Sequence, residues 1–191
     1  MQICIYCASS SKVDRKYFEA TRLLACELAE KKIDVVYGGG SAGLMGCLAD
    51  TVLENGGRVI GILPRFMDKV EWGHKNLTRL TLVKDMHERK KLMIKDVDAV
   101  VALPGGCGTL EELMEVITLK RLGKFTKPII ILNTDGFYDH LKQLLDKMIE
   151  EHFMRAEHDE IWCFVNHPNE VLGAIENAPR WDHSAIKFAA V

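Results

Sequence analysis

Leu103-Pro-Gly-Gly-Cys-Gly-Thr-Leu-Glu-Glu-Leu113 predicts a strand, a tight turn and a helix in direct succession. The apolar run before the glycines is typical of a buried strand, and the residues after them have helical spacing. Glycines leave the backbone bare, and the free N–H groups at a helix start favour an anion such as phosphate. We therefore expect a phosphate cradle here, with Thr109 opening the helix and two acids, Glu111 and Glu112, in its first turn.

The same alternation of short apolar runs and amphipathic stretches continues along the whole chain. Several runs are apolar on both faces, as strands covered by helices on each side must be. This pattern predicts an α/β fold with a doubly wound, mostly parallel sheet of about seven strands flanked by helices. The candidate strands are Gln2–Tyr6, Asp34–Tyr37, Arg58–Leu63, Arg79–Val83, Asp98–Leu103, Pro128–Leu132 and Ile161–Phe164. The candidate helices are Asp14–Lys31, Gly43–Asn55, Met86–Lys95, Leu110–Leu122, Tyr138–His152 and Pro168–Asn177.

Size and charge narrow the class of protein. The chain has 191 residues with a net charge of -2, which gives no basic footprint for nucleic acid or an anionic membrane surface. No apolar run approaches the ~20 residues of a membrane span, and the first residues show no basic segment typical of a signal peptide. We expect a cytoplasmic protein with a single domain over residues 1–180 and a C-terminal tail over residues 181–191.

The six cysteines predict neither a disulfide framework nor a metal site. Cys4 and Cys7 form a C-x-x-C pair, but inside a strand these positions point to opposite faces. No second pair follows, and no histidine stands at zinc-site spacing. Cys107 lies in the glycine loop, yet no histidine is near it in sequence to act as its base. We therefore expect no metal and no cofactor.

Two further turns are expected at the same sheet edge as the glycine loop. Tyr37–Gly46 formally contains G-x-G-x-x-G, the dinucleotide-binding fingerprint. That fingerprint usually follows the first strand, and the strand after it ends in an acidic residue. Here the motif follows the second strand, and Arg65 stands at the end of the strand after it. Its glycines serve either a tight turn or ligand contact. Ala8–Ser11 supplies hydroxyls after the first strand, for a ligand or for a helix cap. A Walker A lysine is absent from both glycine loops, which disfavours a P-loop NTPase.

The residue pattern leaves open what Glu112 does. Thr109-Leu-Glu-Glu112 has the form of a capping box, in which Glu112 reaches back to the Thr109 N–H. A catalytic carboxylate at the phosphate cradle explains the same residue equally well. Arg89, near the start of the preceding helix, lies close to the same sheet edge and can reach a phosphate or ribose oxygen, or simply belong to a solvated basic face.

Three segments together resemble the Lonely Guy (LOG) family of cytokinin-activating nucleotide phosphoribohydrolases, long described as possible lysine decarboxylases. The family pattern P-G-G-x-G-T-x-x-E matches Pro104–Glu112, Y-G-G-G-x-x-G-L-M-G matches Tyr37–Gly46, and M-H-x-R-K matches Met86–Lys90. The segments stand in the family's order and spacing. The resemblance implies a Rossmann-like, usually dimeric enzyme that hydrolyses the N-glycosidic bond of an adenine-type nucleoside 5′-monophosphate.

The resemblance also implies roles for individual residues. The family's catalytic pair falls on Arg89 and Glu112. Its carboxylate would stabilise the oxocarbenium-like state or activate water, which the sequence does not decide. Cys107 stands where plant members often have a tyrosine, and the segment that begins at Glu71 reads Glu-Trp-Gly-His. We expect both departures to alter the preference for the base of the nucleotide. The expected substrate-binding residues, including those offered by the turns themselves, are Ser9, Gly39, Gly40, Glu71, Lys90, Gly105, Gly106, Cys107, Gly108, Thr109, Leu110, Glu111 and Thr118.

Two rival functions fit parts of the pattern. A lysine decarboxylase would need pyridoxal phosphate on a Schiff-base lysine, and the expected site offers only Lys90. A non-catalytic nucleotide-binding module would use the same cradle without chemistry. The hydrolase explains the acid beside the cradle as well as the cradle itself.

Overall fold

A computed structural model describes residues 1–68 and 72–189, in which strands and helices alternate. The strands are β1 (Gln2–Tyr6), β2 (Asp34–Tyr37), β3 (Val59–Pro64), β4 (Arg79–Val83), β5 (Ala99–Ala102), β6 (Ile129–Leu132) and β7 (Cys163–Val165). The α-helices are α1 (Arg15–Glu30), α2 (Gly43–Glu54), α3 (Arg65–Asp68), α4 (Met86–Met93), α5 (Cys107–Arg121), α6 (Asp139–Glu150) and α7 (Val171–Glu176). Short 3-10 helices cover Thr134–Gly136, Ala156–Ile161, Pro168–Glu170 and His183–Phe188.

The seven strands form one sheet in the order β4-β3-β2-β1-β5-β6-β7. Every neighbouring pair is parallel, which confirms the predicted doubly wound α/β fold. The direction of strand addition reverses between β1 and β5. In open parallel sheets, ligands bind at the carboxyl ends of the strands beside such a reversal. The turns that follow β1 and β5 are therefore placed where a ligand site is expected.

Each face of the sheet packs against its own layer of helices. Ile3 and Ile5 join one buried cluster with Leu24 of α1 and Leu48 of α2. The alternate residues Cys4 and Tyr6 join a second cluster, on the other face, with Leu113 and Val116 of α5. Cys7 belongs to the first cluster, so Cys4 and Cys7 do lie on opposite faces of the sheet. All six cysteines are free thiols.

Several boundaries differ from the sequence prediction. Helix α5 begins at Cys107, three residues before the predicted Leu110, because Gly106 is its N-cap. Thr109 therefore lies inside the helix instead of opening it. The short helix α3 is not among the predicted helices. Within the described residues, no helix is long and apolar enough to cross a membrane.

The segment after α7 contacts the carboxyl end of α5. The Trp181 indole Nε1 donates to the Lys120 carbonyl at 2.7 Å, and the His183 Nδ1 is 2.7 Å from the Gly123 carbonyl oxygen. A side chain at Gly123 would meet the His183 backbone at 2.7 Å. Carbonyls at the end of a helix have no intrahelical partner, so this segment completes the end of α5.

Candidate active site

Three turns meet at the carboxyl edge of β1, β2 and β5 and enclose a cleft of about 700 Å³. The backbone joins the turns after β1 and β2, since the Met45 N–H donates to the Ala8 carbonyl at 3.1 Å. Gly43 has φ +61°, and a Cβ there would lie 2.5 Å from the Ser9 carbonyl carbon. The cleft is lined by Cys7, Ala8, Ser9, Ser10, Gly38, Gly40, Ser41, Ala42, Met45, Leu63, Met67, Trp72, Met86, Arg89, Gly106, Gly108, Thr109, Glu111 and Glu112.

One wall of the cleft is the amino end of α5. Gly106 is the N-cap in extended conformation, and no side chain caps the helix there. The first-turn amides of α5 therefore have no intrahelical partner, and such amides favour the binding of an anion. A Cβ at Gly106 or Gly108 would meet nothing within 4 Å, whereas one at Gly105 would lie 2.1 Å from the Thr109 Oγ1. Gly105 thus allows the turn to pack closely against Thr109, whereas Gly106 and Gly108 leave the space beside their backbone open.

The capping-box interpretation of Glu112 is wrong. The residue that caps α5 is Gly106, and Thr109 is the third residue of the helix. The first turn of α5 consequently contains no acidic residue, and Glu111 and Glu112 lie beyond it. The Glu112 carboxylate instead faces Arg89, with 3.7 Å between Oε1 and Nη1. Both side chains are only about 6–7% exposed.

Two strand ends position the Arg89 guanidinium. Its Nε donates to the Ile62 carbonyl of β3 at 3.2 Å, and its Nη2 donates to the Gly38 carbonyl at 3.2 Å. A Cβ at Gly38 would lie 2.0 Å from that Nη2, so only glycine leaves room for the guanidinium. With two donors engaged by the backbone, Nη1 is directed at Glu112. This orientation predicts that Arg89 acts on the carboxylate and on groups immediately around it.

Burial raises the pKa of Glu112 to about 7, while Arg89 opposes the rise and Glu111 adds to it. Desolvation disfavours the charged form of a carboxyl group, and a neighbouring cation favours it. At neutral pH the Glu112 side chain is therefore close to its point of half-ionisation. A buried carboxyl with a perturbed pKa beside a cation in a cleft is typical of a catalytic group.

Lys90 lies at the rim of this arrangement and does not line the cleft. Its ammonium contacts the Glu111 carboxylate and is 3.3 Å from Glu115 Oε2. The hydrogen bond with Glu111 raises the pKa of Lys90. Thr118 is farther along α5, where its hydroxyl donates to the Met114 carbonyl at 2.8 Å. It lines a separate groove between α5 and α6.

The structure brings most, but not all, of the expected residues into the cleft. Ser9, Gly40, Gly106, Gly108 and Thr109 line it together with Glu111 and the Arg89–Glu112 pair. The expected residues that do not line it are Gly39, Lys90, Gly105, Cys107, Leu110 and Thr118, and Glu71 lies outside the described residues.

The apolar part of the cleft lining was not among the predicted site residues. Met45, Leu63, Met67, Trp72 and Met86 all contribute to it. Three of them stand in or beside segments with a sequence signal: Met45 is in Tyr37–Gly46, Met86 begins the M-H-x-R-K segment, and Trp72 follows Glu71. Among the residues the structure describes, no group of three or more His, Cys, Asp or Glu side chains is placed to hold a metal ion.

Comparison with known proteins identifies the family. The family model described as "Possible lysine decarboxylase" matches residues 45–175. The cytokinin riboside 5′-monophosphate phosphoribohydrolase LOG2 of Arabidopsis thaliana is 44% identical over 188 residues, which cover 98% of this chain and 88% of that protein. The chain belongs to the LOG family. A second LOG-family relative, LOG7 of Arabidopsis thaliana, is 40% identical over 98% of this chain and 87% of its own length.

Solved structures share the fold at lower identity. The molybdenum cofactor binding protein of Rippkaea orientalis aligns with a TM-score of 0.69 and 19% identity, covering 92% of this LOG-family chain and 94% of that protein. The molybdenum cofactor carrier protein of Chlamydomonas reinhardtii gives a TM-score of 0.68 and 18% identity, with 93% and 96% covered. Likeness at this level concerns the fold alone.

Proposed function

We propose that this LOG-family protein is a nucleoside 5′-monophosphate phosphoribohydrolase. It cleaves the N-glycosidic bond of AMP, or of an N6-modified cytokinin AMP, to give the free base and ribose 5-phosphate. The observation that carries the proposal is the buried Arg89–Glu112 pair beside the open amino end of α5. The names of relatives at 40–44% identity over 98% of the chain support the same reaction.

The positions of the turns determine which end of the cleft holds the phosphate of the nucleotide and which holds its base. The 5′-phosphate binds the amides of Gly106, Gly108 and Thr109 after β5. Strands β2 and β5 flank β1, so their ends are two strand spacings, or about 10 Å, apart. Arg89 is held at the ends of β2 and β3 and faces Glu112 of α5, so the pair lies between these two sides of the cleft. The ribose therefore crosses the pair, and the base extends toward the β2 side.

In this arrangement Glu112 acts on the anomeric carbon. Departure of the base leaves positive charge on C1′ and the ring oxygen. An ionised Glu112 stabilises that charge or takes a proton from the attacking water, and both actions require the carboxylate. Water adds to C1′, and the departing base nitrogen takes up a proton. Arg89 holds the carboxylate in place and favours its ionised form against the effect of burial.

An assay of both products tests the proposal. A panel of nucleoside monophosphates is incubated with the protein, and free base and ribose 5-phosphate are measured separately. We expect equal amounts of both from AMP or isopentenyl-AMP, and none from adenosine, which lacks the phosphate. A folded protein that binds AMP but releases no base would contradict the hydrolase and support a non-catalytic nucleotide-binding module.

The older description as a lysine decarboxylase finds less support at this site. The Lys90 ammonium contacts Glu111 and Glu115, and Lys90 does not line the cleft. A Schiff base with pyridoxal phosphate requires a lysine with a free neutral amine. We expect a purified protein without the yellow absorbance of such a Schiff base, and the appearance of that absorbance would revive the decarboxylase.

We also infer a homodimer, as is usual in the family. The groove between α5 and α6 carries two exposed apolar side chains, Phe153 at 72% and Leu144 at 52%. Thr118 lines this groove and not the cleft, so it reaches a nucleotide only if a second copy packs here. Analytical ultracentrifugation should give a dimer, and Phe153→Glu should shift it to a monomer. A monomeric wild-type protein would contradict the inference.

A cytoplasmic location completes the proposal. All six cysteines are free thiols, including the exposed Cys107. Unpaired thiols are typical of a reducing compartment, where disulfides do not persist. Cell fractionation with an antibody against the native protein should place it in the cytosolic fraction.

A further inference from the structure

The side chain of Trp72 is a large apolar surface on the wall of the cleft. Its residue is 58% exposed although it belongs to the cleft lining. Met45, Leu63 and Met67 contribute further apolar lining. The reaction proposed above uses a phosphate, a sugar and a carboxylate, and none of these explains an exposed indole. Apolar side chains that are grouped in a cleft, unlike exposed ones scattered singly, are typical of a ligand-binding surface.

The backbone of Trp72 is fixed to the turn that follows β2. The Ser41 N–H donates to the Trp72 carbonyl at 3.0 Å, and the His74 N–H donates to the Gly39 carbonyl at 2.9 Å. Gly40 and Gly73 form an antiparallel bridge between these two hydrogen bonds. The indole is therefore carried by a short ladder on the same turn that lines the cleft.

A buried histidine anchors this ladder to helix α2. The His74 Nε2 lies 2.9 Å from the Asp50 Oδ1, and the Asn76 N–H donates to the His74 Nδ1 at 3.2 Å. Because Nδ1 accepts a hydrogen bond, the ring hydrogen is on Nε2 and is donated to the Asp50 carboxylate. His74 is thus held on both sides of its ring, and its position fixes that of Trp72.

We propose that the Trp72 indole is the surface on which the base of the bound nucleotide stacks, with His74 as its positioning residue. This inference rests on the proposed function, which sets the phosphate at α5. Trp72 is attached to the turn after β2, about two strand spacings, or about 10 Å, from the turn after β5. The base extends toward this side of the cleft once the phosphate is bound at the other. A purine presents a flat aromatic face, which a tryptophan ring stacks upon without reading its edge.

Fluorescence tests the contact without turnover. The chain has three tryptophans, and of the other two Trp162 is buried and Trp181 lies at the far end of α5. In a Glu112→Gln background, AMP should quench the emission, and ribose 5-phosphate, which lacks the base, should not. Trp72→Phe should remove the quench, while the matched control Trp181→Phe should keep it. Quenching that persists in Trp72→Phe would overturn the inference.

Affinity measures the energetic part of the contact. Stacking of one base on an aromatic side chain corresponds to about a 5- to 150-fold change in binding. Trp72→Ala should weaken AMP binding by a factor in this range, Trp72→Phe by much less, and neither should alter binding of ribose 5-phosphate. Equal AMP affinity in the wild type and Trp72→Ala would refute the role of Trp72.

The positioning role of His74 has a spectroscopic readout. His74→Ala keeps the indole but releases its anchor, so AMP should quench its emission less than in the parent, with far-ultraviolet circular dichroism unchanged. Full quenching in this variant would remove His74 from the inference. The two proposals also fail separately. AMP hydrolysis with an unchanged KM in Trp72→Ala refutes stacking alone, whereas Trp72-dependent quenching without hydrolysis in the wild type refutes the hydrolase alone.

Discussion

Replacing Glu112 by glutamine should abolish turnover and, at alkaline pH, make the folded protein more stable. The side chain is buried beside Arg89, and burial raises its pKa from the ordinary 4.5 to about 7. Glutamine has nearly the same shape and no charge, so it removes the cost of burying a carboxylate. A residue retained for chemistry in spite of that cost should show this opposite response of stability and activity.

The magnitude follows from the two pKa values. Between pH 4.5 and about 7 the unfolded chain releases the Glu112 proton and the folded protein keeps it, so rising pH favours unfolding. Above about pH 7 both states are ionised and the penalty is constant at about 3 kcal/mol. The attraction of Arg89 is already part of this balance, because it lowers the folded pKa. We expect Glu112→Gln to be more stable by about 3 kcal/mol at pH 8 and by less than about 1 kcal/mol at pH 5.

Urea unfolding at the two pH values measures the stability, and release of base from AMP measures the activity. The turnover number should fall by at least about 100-fold, as expected for loss of a group that acts in the transition state. Glu115→Gln is the matched control, because Glu115 lies on the same helix, contacts Lys90 and does not line the cleft. It should change stability by about 1 kcal/mol or less and leave most of the activity.

Two results would refute this reasoning. If Glu112→Gln retains more than a tenth of the wild-type turnover number, the carboxylate is not the group that acts on C1′. The second result is a stability gain of Glu112→Gln over the wild type that is no larger at pH 8 than at pH 5. In that case the buried carboxyl group does not have the raised pKa that its burial implies.

Three further predictions concern the ionisation of Glu112, the position of Arg89 and the buried Lys120. The kcat/KM of the wild type should rise with pH to a plateau above about 7, because the ionised Glu112 is the active form, and a profile that falls through this range would assign it the role of an acid. Gly38→Ala should lower kcat by about 100-fold with little loss of stability, since its Cβ would displace the Arg89 Nη2, whereas Gly173→Ala, whose Cβ meets nothing within 4 Å, should not change kcat. Burial lowers the pKa of Lys120 to about 8, so Lys120→Met should raise the urea midpoint at pH 7 and lose this advantage as pH rises from about 8 to 10.5; an equal gain at both pH values would contradict it.

The succession of strands and helices could be predicted from local sequence patterns. Strands β1, β2 and β4 begin and end at the predicted residues, because a short apolar run bounded by turn residues is a local signal. The sequence also placed the three turns at one edge, since parallel strands all end on the same side of a sheet. The P-G-G-x-G-T-x-x-E segment gave Glu112 as the acid at the cradle, and the structure brings it into the cleft.

Local sequence pattern did not predict where helix α5 begins or which side chains line the cleft. Thr109 and Glu112 satisfy the capping-box spacing, but the helix begins at Cys107, three residues before the predicted Leu110, and Gly106 is its N-cap instead of Thr109. The segment around Trp72 lacks periodicity, and the resemblance connected it with base preference without placing the indole in the lining of the cleft. Its ladder with Gly39 and Ser41 joins residues about thirty positions apart.

The orientation of Arg89 and the pKa of Glu112 depend on contacts between segments that are distant in the chain. The Arg89 guanidinium depends on the Ile62 and Gly38 carbonyls, which are 27 and 51 residues away in the chain and meet because β2 and β3 are neighbours. The pKa of Glu112 depends on how completely packing removes water from it, and that is a property of the assembled cleft. Hydrophobic spacing and glycine turns act over a few residues, whereas burial and charge pairing arise only when distant segments come together. The sequence named the acid and the arginine, and the fold set the ionisation of the one and the orientation of the other.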